Sequence, residues 1–196
     1  MKKGEIMQNA AKFTELFGMT VEAAPEGSRQ ILEQAQLGGL IPNMYSNMAN
    51  SPGLLTTYRH GYDEFRRSSG FNKIEQEVVF LAISRYQGCA YCVSVHSAIA
   101  DRNKVPADIT DAIRAGVAIE DTKLQSLNVF TVLLVDSRGR PTQNELSSFL
   151  ASGYSEKQVL ELILAISVKT ISNFSNHFFD TQLDEKFKNR EWQLRD

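Results

Sequence analysis

No stretch of this chain alternates apolar and polar residues for long, whereas stretch after stretch is apolar at three- and four-residue steps; that contrast restricts the fold to helices packed on helices. The punctuation agrees. In "NSPGLLTTYRHGYDEFRRSSG", Ser51 is placed as an N-cap, Pro52 at the first helical position and Gly70 beyond the end. "TQNELSSFLASG" opens with Thr142 and Glu145 in capping-box spacing and closes at Gly153, and Ser155 with Gln158 repeats the device ahead of "LELILAISVKTISNFSNHFF". Between these lie "IEQEVVFLAISRY", "VPADITDAIRAG" and "TKLQSLNVFTVLLVDSRG". No linker rich in Pro, Gly or Ser divides the 196 residues, so one all-α domain, a helical bundle spanning 1–196, is expected.

Charge and hydropathy exclude several classes of partner. Twenty-one basic against twenty-three acidic side chains leave a net charge of -2, without the basic footprint that tracks nucleic acid. "MKKGEIMQNAAKF" lacks an apolar run after its lysines, and the longest greasy run, "LILAISV", is stopped by Glu161 and Lys169. Neither an export signal nor a membrane span is expected, which points to the cytoplasm. One internal similarity pairs 75–96 with 156–177, matching Glu75, Val78, Leu81, Ser94 and His96 to Glu156, Val159, Leu162, Ser175 and His177.

Both cysteines and one of three histidines fall in "GCAYCVSVH". A disulfide across so short a loop restricts little of the unfolded chain, so the pair is not there to staple the fold. Gly88 ends one helix and the next begins around Cys89, which puts the sulfurs in a first turn whose free N–H groups favour thiolate over thiol. Steps of three and four place Cys89, Cys92 and His96 on one helical face. The preceding helix carries Glu75 and Glu77. Beside Val78, Val79 and Phe80, Glu77 either faces water or is pressed toward the core, where its pKa would rise and it could act as a base.

Other readings of the same residues stand beside redox chemistry. Cys89, Cys92 and His96 with His60 or His177 would make a zinc set, although three ligands would crowd one rigid helix face. A thioredoxin-like fold wants a strand before the motif, and haem attachment fails because Val93 follows Cys92. Alternatively the cysteines are buried passengers in a non-catalytic helical oligomer. His60 reads as a surface histidine, His177 as packed among Phe174, Phe178 and Phe179, and Met44, Tyr45 and Met48 as core. Arg85, one turn before Cys89, either steadies a thiolate or complements a helix dipole. Trp192 is expected to anchor the C-terminal tail on a neighbouring subunit.

Glu77, Cys89, Cys92 and His96 together resemble the E…CxxCxxxH pattern of the carboxymuconolactone decarboxylase superfamily, in its alkylhydroperoxidase D-like, peroxidase-related branch. The likeness is closest over residues 74–104 and extends more loosely from about residue 41 to 187. It implies a central antiparallel hairpin of the Glu77 and cysteine helices and a cofactor-free peroxidase, with no metal, haem or flavin. Cys92 would attack hydrogen peroxide or an organic hydroperoxide, Cys89 would resolve the sulfenic acid to a disulfide, and Glu77 with His96 would relay protons. The best-known members carry a second histidine where this chain has Tyr91, whose hydroxyl would be a poorer relay near neutrality. The decarboxylase branch is expected to lack the cysteine pair, so its lactone chemistry does not carry over. The resemblance further implies a homo-oligomer, trimer or hexamer, that works in oxidative defence with a thiol reductant such as a lipoyl protein or thioredoxin.

Overall fold

A computed structural model describes residues 11–37 and 39–194. Residues 1–10, most of the stretch read above for an export signal, and residues 195–196 of the tail lie outside the described residues. The elements are α1 (Glu26–Leu37), α2 (Asn43–Met48), α3 (Pro52–Ser68), α4 (Lys73–Tyr86), α5 (Ala90–Arg102), α6 (Ala107–Ala115), α7 (Thr122–Asp136), α8 (Gln143–Ala151), α9 (Glu156–Phe179) and a 3-10 helix η1 (Glu185–Arg190). Among the described residues there is no strand, and no helix is long and apolar enough to cross a membrane.

The helix starts follow the expected chemistry. Thr142 with Glu145 and Ser155 with Gln158 form reciprocal capping boxes, and so does Asn72 with Glu75, a pair the sequence reading passed over. Ser51 is the N-cap residue and Pro52 opens α3, but the Ser51 side chain makes no capping bond. α4 is the axis of the bundle. Its residues Glu75 to Ser84 are all buried, because α5, α6, α7 and α9 surround it, and a helix enclosed in that way needs no polar face.

Two apolar cores flank this axis. The larger gathers α4, α6, α7 and α8, where the rings of Phe130, Phe149 and Tyr154 stack at centroid separations of 4.1 and 4.7 Å. The smaller joins Leu32, Met44, Tyr45, Met48 and Tyr58 to Cys89, Tyr91, Cys92 and Val168, so the cysteines sit where α1, α2 and α3 meet α5 and α9. The helices α3 and α9 approach closely at Gly61. A β-carbon there would stand 2.8 Å from a Val168 methyl, closer than real side chains come.

One expectation is corrected, and the internal similarity has no matching architecture behind it: 156–177 is a single unbroken helix, whereas 75–96 is a helix, a turn and a second helix. Trp192 anchors the tail on its own chain: its backbone N–H donates to Ser94 Oγ at 2.9 Å and its indole N–H to the Arg114 carbonyl at 3.0 Å, with the ring in the larger core. The Arg114 guanidinium holds the same tail by donating to the carbonyls of Arg190 and Glu191, both at 3.0 Å. Truncation by Trp192→Ala removes a buried indole and its hydrogen bond to the Arg114 carbonyl, and is expected to cost about 3 kcal/mol. Urea unfolding followed by circular dichroism measures this; a loss below about 1 kcal/mol would mean that the tail is not part of the folded core.

Candidate active site

The turn between α4 and α5 sets the site. Gly88, at φ +73°, supplies the left-handed residue that ends α4, with its N–H donated to the Arg85 carbonyl at 3.0 Å and that of Cys89 to the Ser84 carbonyl at 2.9 Å. This pairing is a Schellman stop, and glycine fits it because a β-carbon is disfavoured at such φ. Cys89 closes the stop and is at once the N-cap of α5, where its sulfur accepts the Cys92 backbone N–H at 3.4 Å.

The reversal also runs α5 antiparallel along α4. Glu77, near the start of α4, therefore meets His96 in the middle of α5 and Asn103 at its end. Glu77 Oε2 lies 3.0 Å from His96 Nδ1, while Oε1 accepts from Asn103 Nδ2 at 3.1 Å and from Arg66 Nη1 at 2.6 Å. Glu77 is wholly buried, so of its two sequence readings the core-facing one holds. The expected rise in pKa does not follow. Burial opposes the charge, but the hydrogen bond from His96 and the Arg66 guanidinium outweigh it and hold the carboxyl below its usual range.

His96 is also pushed down, to about 3, by burial first and by the positive charge of Lys169, which together override Glu77. At neutral pH it is an uncharged imidazole. The network assigns its Nδ1–H to Glu77, leaving Nε2 as a lone-pair acceptor.

The two sulfurs are driven apart. Burial raises both, yet for Cys92 the hydrogen bond from Cys89, the charge of Lys169 and hydrogen bonds from Asn176 and Ser172 bring it down to about 6. The amide Nδ2 of Asn176 donates to Cys92 Sγ at 3.2 Å. Cys89 goes well above the ordinary thiol value, through burial and the neighbouring Cys92 charge. The surroundings therefore favour a thiolate at Cys92 and a thiol at Cys89.

Cys92 and His96 open onto a cavity of about 270 Å³ walled by Tyr45, Tyr58 and Tyr62, with Lys169 on the same wall. Only 1% of Lys169 is exposed; its ammonium lies 5.7 Å from the Phe80 ring centre and no carboxylate among the described residues pairs with it. A larger depression of about 670 Å³, beside Arg85, Arg114 and Trp192, shares no residue with this cavity.

The remaining candidates are placed as follows. Tyr91 lines the cavity wall, but its hydroxyl donates to Asp184 Oδ2 at 2.6 Å, and burial with that carboxylate pushes its pKa above the ordinary value. Asp184 Oδ1 in turn accepts the Asn43 N–H at 3.0 Å, so Tyr91 ties the chain entering η1 to α2. Met44, Tyr45 and Met48 are buried as expected, although Met44 and Tyr45 also face the cavity. The Arg85 guanidinium donates to the carbonyls of Arg114 and Ala115 at the end of α6, the helix-end role rather than the thiolate one. His60 is exposed, and neither it nor His177 reaches the cavity. Among the described residues no three His, Cys, Asp or Glu side chains form a metal-ligand group. Three contributors escaped the sequence reading: Lys169, Asn176 and Arg66. The one local signal was Lys169 itself, a charge inside an otherwise apolar helix.

Comparisons with known proteins bear on the family likeness and the fold. Residues 53–131 match the model of the carboxymuconolactone decarboxylase family, and that stretch holds Glu77, Cys89, Cys92 and His96. The fold is that of the alkylhydroperoxidase core. It superposes on a peroxidase-related protein from Ralstonia eutropha JMP134, described as an alkylhydroperoxidase AhpD core, with a TM-score of 0.78 and 19% identity over 91% of this chain and 96% of that one. A peroxidase-related protein from Silicibacter sp. TM1040 gives 0.75 and 14% over 93% and 99%. A variant of the debrominase Bmp8 in complex with 2,3,4-tribromopyrrole gives 0.72 and 19% over 92% and 97%. No curated protein sequence matches the chain.

The split sulfurs have a measurable consequence. Thiolate fraction grows as pH rises through the pKa, so iodoacetamide should label Cys92 with a rate that climbs to a plateau about a midpoint near pH 6, while Cys89 stays unlabelled there. Lys169→Met removes a charge that favours the thiolate and should move the midpoint upward. A midpoint near 9 in the unsubstituted protein would contradict the site electrostatics.

Proposed function

We propose that this protein is a thiol peroxidase that reduces hydrogen or organic hydroperoxides through a Cys89–Cys92 dithiol/disulfide cycle in antioxidant defence. The observation that carries the reading is the geometry of the sulfur pair: Cys92 lines a cavity and accepts from Asn176, with Cys89 one helical turn away as the resolving thiol, and the surroundings favour the thiolate at Cys92. The debrominase among the fold neighbours means that the fold by itself does not select peroxide, so the substrate is argued from the site.

Cys92 attacks the terminal oxygen of the hydroperoxide. The O–O bond breaks, the sulfur becomes a sulfenic acid, and the alkoxide leaves with a proton taken from the site. Lys169 on the cavity wall favours the developing negative charge. Cys89 then attacks the sulfenic sulfur, its proton leaves with the hydroxyl as water, and the disulfide forms. His96 Nε2 is the acceptor that can carry the proton between these steps, and Glu77 keeps the ring in the required tautomer. A dithiol such as a lipoyl protein or thioredoxin would return two electrons and two protons. Tyr91, committed to Asp184, would hold the cavity wall rather than relay a proton.

Such a cycle suits a reducing compartment, the cytoplasm. The exposed apolar side chains Leu160, Ile163, Phe174 and Phe178 along α9 support assembly of several copies.

The test is the intact mass of pre-reduced protein after limiting organic hydroperoxide, with a chelator present. Loss of two hydrogens, mapped to Cys89–Cys92 and matched to peroxide consumed, is expected. Cys92→Ser should abolish consumption, whereas Cys89→Ser should complete one turnover and stop at a sulfenic acid. Equal activity of the two variants, or thiols unchanged by peroxide, would remove the reading.

A further inference from the structure

The cavity at Cys92 is lined by four cationic side chains from four different elements: Arg59 of α3, Arg102 of α5, Lys169 of α9 and Lys186 of η1. No carboxylate lines it. The acids near its edge are already engaged: Asp63 with Arg59 at 2.8 Å, Asp184 with the Tyr91 hydroxyl, and Glu77, behind His96, with Arg66. Lys169, Arg102 and Lys186 have no carboxylate partner among the described residues, and Lys169 is buried without one. In a chain with net charge -2 this is a local reversal of sign, and one Cys92 thiolate does not offset it.

A buried cation is costly unless something pairs with it; the Cys92 thiolate answers Lys169 alone, and a cavity walled by an excess of one sign of charge concentrates ligands of the other. The rest of the lining is aromatic and aliphatic: Tyr45, Tyr58, Tyr62, Val95, Ile99 and Phe187. Its volume of about 270 Å³ is below that of a drug-sized site. Shape and charge together describe an occupant with one ring or a short acyl chain and an acidic group.

We propose that this cavity selects small organic anions, so that the substrate is a hydroperoxide carrying a carboxylate on an apolar body. The apolar part lies against the tyrosines, the carboxylate meets Arg102 and Lys186 at the mouth, and Lys169 is left for the oxygen that departs. This rests on the peroxidase reading for the reaction but not for the binding.

The experiment therefore separates the two. Binding of 4-isopropylbenzoate and of 4-isopropylbenzamide to the reduced, unsubstituted protein is measured by calorimetry, together with the protection each gives Cys92 against iodoacetamide. The acid should bind at least 10-fold more tightly, protect Cys92 in proportion, and lose its advantage as salt rises. The double substitution Arg102→Glu with Lys186→Glu should erase the preference. Equal or weaker binding of the acid, or a preference untouched by the double substitution, overturns the proposal. Because no turnover is involved, protein that binds the acid yet ignores hydroperoxides would sink the peroxidase reading and leave the anion site standing.

Discussion

One buried negative charge, that of Glu77, decides how α3, α4 and α5 lie together. An isolated carboxylate at such depth would cost several kcal/mol, and it persists only because every side of it is answered: Arg66 from α3, His96 and Asn103 from α5. The pairing adds specificity more than net stability, since the desolvation of both ions consumes much of the attraction. What it enforces is register. A shift of α5 by one residue along α4 would leave the carboxylate facing an apolar side chain, and would carry Cys92 away from Asn176 and Lys169 as well.

The same geometry explains why two cysteines three residues apart behave differently. Both are buried, so burial cannot distinguish them. The difference lies in degree among shared neighbours: Asn176 on α9 stands 3.2 Å from the Cys92 sulfur and 3.9 Å from that of Cys89, Lys169 favours charge on both, and Cys89 is in addition opposed by the charge of its partner. Environment, not residue type, assigns the roles, and a third element facing the hairpin provides it.

The local features of this protein were legible in the sequence and the distant ones were not. Caps at Thr142 and Ser155, the helix start at Pro52 and the face shared by Cys89, Cys92 and His96 depend on neighbours within a turn, which spacing reveals. The burial of Glu77 was readable as one of two options, but the direction of its pKa shift depends on Arg66, eleven positions earlier on another helix, and nothing in the local pattern names that partner. Lys169 and Asn176 reach Cys92 from more than seventy residues away. The likeness between 75–96 and 156–177 has no matching architecture behind it because shared apolar periodicity is common to any two buried helices; the turn at Gly88 has no counterpart in α9. Trp192 was recognised as an anchor but assigned to another subunit, since a polar tail gives no sign of which surface it will meet.

That tail has an optical meaning. Trp192 is the protein's only tryptophan, and its backbone is hydrogen-bonded to Ser94, two residues from Cys92 on the same helix. A displacement of the first turns of α5, such as a Cys89–Cys92 bond would bring, would reach the single indole through this contact, and indole emission responds in colour and intensity to its surroundings. The molecule carries an intrinsic fluorophore wired to its reactive helix, reporting in real time without a dye or label.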